Sequence, residues 1–300
     1  ILKCPLDEEE YDMETGTILW QPTSDQISAT HYSKFKDRAS RIARKDFPDY
    51  AALHEWSVEQ LDDFWGLVWD YCDVVGEQGG RVSDGVLAMP GAQFFPDARI
   101  NFAENLLRKS GPEDAIVFRG EDKVNRRLSY DQLREEVSRL QQFLLDQGVG
   151  EGDRVAAMLP NMPEAVIGML ATSSIGAVWS SCSPDFGEGG VLDRFGQIEP
   201  KILIVCDGYW YNSKQQDVSK KLENILPKLP SLKQVIIVNY LGKADELAQT
   251  LPKAIAWRKG MDAFKPVEIT FKRLAFNHPL YILLENQYHL AMFPKEHLEL

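Results

Sequence analysis

Cysteine is scarce in this chain of 300 residues: Cys4, Cys72, Cys182 and Cys206 are the four present, and no two form a CxxC pair. That pattern excludes a zinc knuckle and a dense secreted disulfide framework, and favours buried or free thiols in a reducing compartment. Histidine is equally thin. His31, His54, His278, His289 and His297 are scattered without ligand spacing, so no metal site is expected. Positive charge is also short, with 33 Lys and Arg against 45 Asp and Glu, a formal net charge of -12. This balance argues against nucleic acid or an anionic membrane as a partner. No long apolar run exists. The most apolar stretch, Ala165 to Val178, is interrupted by Gly, Thr and Ser and is shorter than a bilayer span. The N-terminus shows no basic-then-apolar leader, and a cytoplasmic protein is expected. The sequence starts at Ile1 rather than methionine, consistent with a fragment.

What is present is organised around Asp153 to Gly187. Arg154 to Leu159 is a short apolar run that stops at proline, which predicts a buried strand rather than a helix. Pro163 suits a first helical turn, and Glu164 beside it complements the positive helix end. The helix should run to about Ile175, with Gly176 as its C-terminal cap and Ala177 to Trp179 as the next strand. Such a strand-helix-strand unit implies a parallel pair.

Along the chain, residues 1 to 18 are an acidic, aperiodic tail and 19 to 110 a helical N-terminal segment. Thr23-Ser-Asp-Gln26 is a capping box before one helix with Ile27, Phe35 and Ile42 on a single side. Ser57-Val-Glu-Gln60 repeats that pattern before a stripe of Leu61, Phe64, Trp65, Val68, Trp69 and Cys72, whose regular spacing reads as core packing rather than a ligand box. Gly76 to Gly91 reads as a connection and Ala98 to Leu107 as a helix. Strands are expected at Ala115 to Phe118 and Arg127 to Ser129, then a third capping box, Ser129-Tyr-Asp-Gln132, before a helix carrying Leu133, Val137, Leu140 and Leu144. Alternation continues with helix 191 to 198, strand 201 to 206, helix 218 to 226, strand 234 to 238 and a strand candidate at 279 to 284. Residues 111 to 284 thus read as a doubly wound, mainly parallel α/β sheet with helices on both faces, preceded by the helical segment.

Gly148-Val-Gly-Glu-Gly152 follows a helix and precedes a strand, the reverse of a dinucleotide loop, so it reads as a turn. Ser180, Ser181 and Ser183 lack a GxSxG elbow. They lie past a strand's carboxyl end, where open sheets bind ligands, so a binding role stands beside a plain turn.

Trp20-Gln-Pro22, His54-Glu-Trp-Ser57 with Phe64-Trp65, Asn101 to Arg108, Gly176 to Gly187, Val191 to Phe195 and Phe276 to Leu280 together resemble the acetoacetate-CoA ligase family of adenylate-forming enzymes. The likeness runs in order from Trp20 to Leu283, and Trp179 to Gly187 resembles the acetoacetate branch more than acetyl-CoA synthetases. It implies an acid-thiol ligase of lipid and ketone-body metabolism using ATP, Mg²⁺ and CoA. Acetoacetate would attack the α-phosphorus of ATP to give an acyl-adenylate and pyrophosphate, and the CoA thiol would then displace AMP. By the same resemblance, the turn after the strand at 201 to 206 approaches the nucleotide end of CoA, with Tyr211 placed to stack on adenine and Lys214 to meet a phosphate, although relatives carry arginines here.

The family's Ser/Thr/Gly-rich phosphate loop should follow the strand at 279 to 283. Instead, Glu285-Asn-Gln-Tyr-His-Leu-Ala-Met-Phe-Pro-Lys295 contains no glycine and opens on a carboxylate, so 285 to 300 form a divergent end. No catalytic or metal residue is therefore assigned. Two readings stand: an N-terminal fragment of the ligase, inactive by itself, or a non-catalytic α/β module with at most weak CoA binding.

Overall fold

The computed structural model describes residues 18 to 121 and 123 to 284. The expected tail, apart from Ile18, and the divergent end at 285 to 300 lie outside the described residues, as do Cys4, His289 and His297. The chain divides into two compact units at Val74 and Val75.

In the first unit, Thr23 and Gln26 form the expected capping box at the start of α1 (Ser24–Ala29). The single long helix predicted from Ile27, Phe35 and Ile42 is broken at Thr30. That residue is extended (φ -66°, ψ 152°); it ends α1, and its Oγ1 accepts from Ser33 N at 3.1 Å to start α2 (His31–Ala43). Ile27 and Ile42 are left exposed, and Ala39 becomes the buried position. The second predicted box does not form. Asp49 caps α3 (Tyr50–Glu59) earlier, its carboxylate accepting from Ala52 N at 2.9 Å, and Ser57 lies inside that helix donating to His54 O at 2.7 Å. α4 (Leu61–Tyr71) follows without a side-chain cap. The stripe is core only in part: Phe64 meets Trp56 edge-on at 6.1 Å and Phe35 at 5.9 Å, whereas Leu61, Trp65, Val68 and Trp69 are half-buried and Cys72 is exposed. The buried residue of α4 is Leu67, between the expected positions.

The second unit opens with short antiparallel pairs, β1 (Gly76–Glu77) with β4 (Arg99–Ile100) and β2 (Ser83–Asp84) with β3 (Gln93–Phe94). The helix expected from Ala98 is therefore shortened to α5 (Phe102–Leu106), because residues 99 and 100 are extended and Ile100 also bridges Leu274. Its N-cap, Asn101, is 1% exposed. One side of that amide accepts from Glu104 N, and the other donates to Lys272 O at 2.7 Å and to Ser173 O at 2.9 Å, with Ser174 O at 3.2 Å. β5 (Asp114–Gly120) and β6 (Val124–Ser129) form an antiparallel ribbon, and α6 (Tyr130–Asp146) starts at the predicted Ser129 box with Leu133, Val137, Leu140 and Leu144 buried.

The main sheet comprises β7 (Arg154–Met158), β8 (Val178–Cys182), β9 (Ile202–Cys206), β12 (Gln234–Val238) and β13 (Ala254–Ala256), all parallel, in the order β13-β12-β9-β7-β8. Between them lie α7 (Pro163–Ser174), α8 (Glu188–Ile198), the hairpin β10 (Gly208–Tyr211) and β11 (Lys214–Asp217), α9 (Ser219–Ile225) and α10 (Ala244–Thr250); α11 (Trp257–Met261) follows β13. The connections run in opposite directions from β7 and β9, which for right-handed crossovers places helices on both faces. The strand expected at 279 to 284 appears as a bridge: Trp179 N donates to Leu280 O at 3.1 Å and Ile282 N to Trp179 O at 2.8 Å, in parallel beside β8. Glu164, in the first turn of α7 as read from sequence, is buried and bound bidentately by Arg126 of β6 at 2.7 Å for each bond.

Gly168 of α7 lies against the buried indole of Trp179, where an added Cβ would stand 2.5 Å from the ring. Gly168→Ala should lower stability by about 1–2 kcal/mol through overpacking, although alanine is favoured over glycine in a helix by roughly 1 kcal/mol. Urea unfolding with an unchanged or higher midpoint would show that the contact does not constrain the helix.

Candidate functional site

In an open parallel sheet the ligand-facing crevice lies at the carboxyl ends of strands whose connections diverge. Here β7 connects towards β8 and β9 towards β12, so the crevice opens above neighbouring β7 and β9. Around it stand the turn after β7, the loop from Ser183 to Gly187 after β8, and the β10–β11 hairpin after β9.

Each loop is held by side chains. Asp207, directly after β9, is fully buried and accepts main-chain N–H bonds from Tyr240 (2.7 Å), Leu241 (2.9 Å) and Lys243 (2.7 Å). It thereby locks the turn after β12 to the root of the hairpin. Gly208 permits this approach: at φ 149°, an added Cβ would meet Leu241 Cδ1 at 2.4 Å and Gln216 O at 2.6 Å. Further along, the Tyr209 hydroxyl donates to Asp185, which Ser183 also contacts at 2.8 Å. These bonds hold the Asp185 carboxyl below its ordinary range, while burial, followed by the bond to Asp185, raises the Tyr209 phenol. Lys221 of α9 donates to the carbonyls of Pro184 (2.6 Å) and Phe186 (2.8 Å), closing the loop after β8. Arg194 lies over the Phe186 ring at 4.0 Å.

The serines past β8 are engaged. Ser180 is buried and donates to Ile282 O at 2.9 Å, Ser181 pairs with the Tyr281 hydroxyl, and Ser183 serves Asp185. Cys182 and Cys206 stand free, with burial pushing both thiols up to about 12, so neither supplies a thiolate near neutral pH. Among the described residues, no group of three or more His, Cys, Asp or Glu could hold a metal ion. Among the described residues of the rim, these serines and thiols are taken up by structural contacts or by burial.

Tyr211 and Lys214 face each other across the hairpin tip as the last register pair of β10 and β11, and both are exposed. Asn212 and Ser213 between them have φ of 50° and 60°, a two-residue turn matched to strand twist. The turn is pinned from outside, since Ser213 N donates to Glu121 at 2.9 Å. An aromatic ring and an ammonium are therefore presented side by side on a stiff support. Sequence reasoning missed Asp207, Asp185, Tyr209 and Lys221. The Asp-Gly step closing a buried strand was the available signal for the first; the others are paired only by the fold.

Two family profiles match the chain: AMP-binding enzyme over residues 104–282, and acetyl-coenzyme A synthetase N-terminus over residues 50–106. Acetoacetyl-coenzyme A synthetase of Rhizobium meliloti (strain 1021) is 50% identical over 274 residues, which cover 91% of this chain and 42% of that protein. The Xenopus tropicalis acetoacetyl-CoA synthetase is 35% identical over 279 residues, 89% of this chain and 41% of its own length. Among solved structures, acetoacetyl-CoA synthetase from Streptomyces lividans superposes with a TM-score of 0.80 at 36% identity, covering 88% of this chain and 40% of that one. The chain spans about two fifths of the length of the curated relatives it matches.

Asp217, at the hairpin's return end, is held down to about 2, first by the Lys243 ammonium at 2.7 Å and then by Ser219. A depressed carboxylate stabilises the fold above its ordinary value of 3.8, and that contribution disappears as pH falls through about 2. A carboxyl-carbon NMR titration should place Asp217 near 2, and Lys243→Met should move it up towards the ordinary value. An unchanged titration in the variant would mean that the ammonium does not hold it.

Proposed function

The chain belongs to the AMP-binding enzyme family, and on that footing we propose that it is the N-terminal portion of an acetoacetate-CoA ligase. The complete protein would join acetoacetate to CoA with ATP and Mg²⁺ through an acyl-adenylate, releasing pyrophosphate and then AMP. The observation carrying this reading is the 50% identity to an acetoacetyl-coenzyme A synthetase, sustained over 274 residues. A cytoplasmic location belongs to the same reading. Its support is that Cys182 and Cys206 are buried thiols outside any disulfide.

The share of the reaction assigned to these 300 residues is limited. Adenylyl transfer relies on backbone amides, a cation and Mg²⁺ gathered around the phosphates. Residues 280 to 282 bridge to β8, but the sequence from Glu285 to Lys295 offers no glycine for close backbone approach. Among the described residues there is no carboxylate cluster for a metal either. No adenylation step is therefore assigned to this polypeptide by itself. Its contribution would be to receive the nucleotide end of CoA at the hairpin, where Tyr211 offers a face to adenine and Lys214 a charge to phosphate. In support, Lys214 has no carboxylate partner among the described residues, and the pinned turn holds the two side chains together at little entropic cost.

The purified 300-residue chain should show no acetoacetate-dependent exchange of pyrophosphate into ATP; exchange clearly above the protein-free background would overturn that assignment. It should nonetheless bind CoA weakly. Lys214→Ala should reduce that affinity about fivefold, the loss of an exposed charge pair worth about 1 kcal/mol. Calorimetric titrations that superimpose for the two proteins would remove Lys214 from the site.

A further inference from the structure

A second ligand-sized feature lies wholly within the first unit. Helix α2 carries Lys34, Arg38 and Arg41 at successive spacings of four and three, which sets them along one side. They cover about 10 Å of helix axis. With His31, Asp37 and Tyr71 they line a cleft of about 400 Å³. The wall is built rather than incidental. The Tyr71 hydroxyl donates to His31 O at 3.0 Å, so its oxygen is left to accept from His31 Nδ1 at 3.1 Å. The guanidinium of Arg38 lies over the Tyr71 ring at 5.0 Å, a stacking that leaves the N–H edge of the fork available.

The electrostatics of this cleft run against those of the chain. In the second unit, Arg126, Lys201, Lys243, Arg258, Lys272 and Arg273 are all matched by carboxylates. Lys34, Arg38 and Arg41 have no carboxylate within ion-pair distance among the described residues, although Asp37 lines the same cleft. Three unneutralised cations in a concavity of an acidic protein are an anion site in charge and shape. Their spread along the helix lets an elongated anion meet all three with the side chains extended, whereas a compact one would require them to converge.

We propose that this cleft binds a linear polyphosphate group, held by Lys34, Arg38 and Arg41 against the Tyr71 wall. The site is independent of the CoA-receiving hairpin and of the ligase reading.

The test uses the 300-residue chain and inorganic anions as probes, in isothermal titration calorimetry at low ionic strength, where surface charge is least screened. Tripolyphosphate should bind more tightly than pyrophosphate, and pyrophosphate more tightly than orthophosphate. Lys34→Gln and Arg41→Gln, both at exposed positions, should each weaken tripolyphosphate binding at least fivefold with an unchanged circular dichroism spectrum. Lys220→Gln, an equal loss of charge on a helix of the second unit, should change it less than twofold. Absence of tripolyphosphate binding, equal affinity for the three anions, or equal weakening by Lys220→Gln would each overturn the proposal. So would full affinity in the Lys34→Gln, Arg41→Gln double variant.

Discussion

A carboxylate sealed away from water needs hydrogen bonds to its oxygens, because a buried polar group left unpartnered is costly. Asp207 meets that condition with three main-chain N–H groups from a single turn, Tyr240 to Lys243. The constraint acts in both directions. The turn after β12 is bent around a side chain from β9, and the hairpin leaving β9 must start flush against that turn, which is why a glycine follows the aspartate. The position of the hairpin tip, and with it Tyr211 and Lys214, traces back to this one buried side chain. Asp217 and Lys243 close the same circuit from the far end, since Lys243 supplies an N–H to Asp207 and an ammonium to Asp217.

The rim around the crevice has a common logic. The loop after β8 is tied by Lys221 to α9, the turn after β12 by Asp207 to β9, and α7 by Glu164 to Arg126 of the β5–β6 ribbon. Each bond joins elements distant in sequence, and each involves a charged group at a loop or helix end. Such supports hold a site rigid without entering its chemistry.

Much of the architecture was legible in the sequence because local and tertiary preferences agree. Arg154 to Met158, Ile202 to Cys206 and Gln234 to Val238 are short apolar runs with turn residues at their ends, and buried parallel strands have that composition. Ser129 and Thr23 cap helices with the partners their spacing indicates. Misreadings arose where two local solutions competed. Ser57 could start a helix, but Asp49 had already started one; Ile27 and Ile42 share a side only if Thr30 stays helical, and its hydroxyl stabilises the break instead. The candidate site was harder to read. Tyr211 and Lys214 meet because a two-residue turn closes between them, whereas Asp185 with Tyr209 and Asp207 with residues 240 to 243 depend on strand order. Strand order is a long-range property that no window of sequence contains.

That order also bears on how the domain is assembled as it leaves the ribosome. An interior strand, β7, is the first of the sheet to be synthesised. β8 joins one side of it and β9 the other; β12 then joins β9, β13 joins β12, and residues 280 to 282 join β8. Every new strand adds to a free margin, and none has to be threaded between two already paired. The nascent chain can therefore keep each ladder it has made while later strands add to either margin.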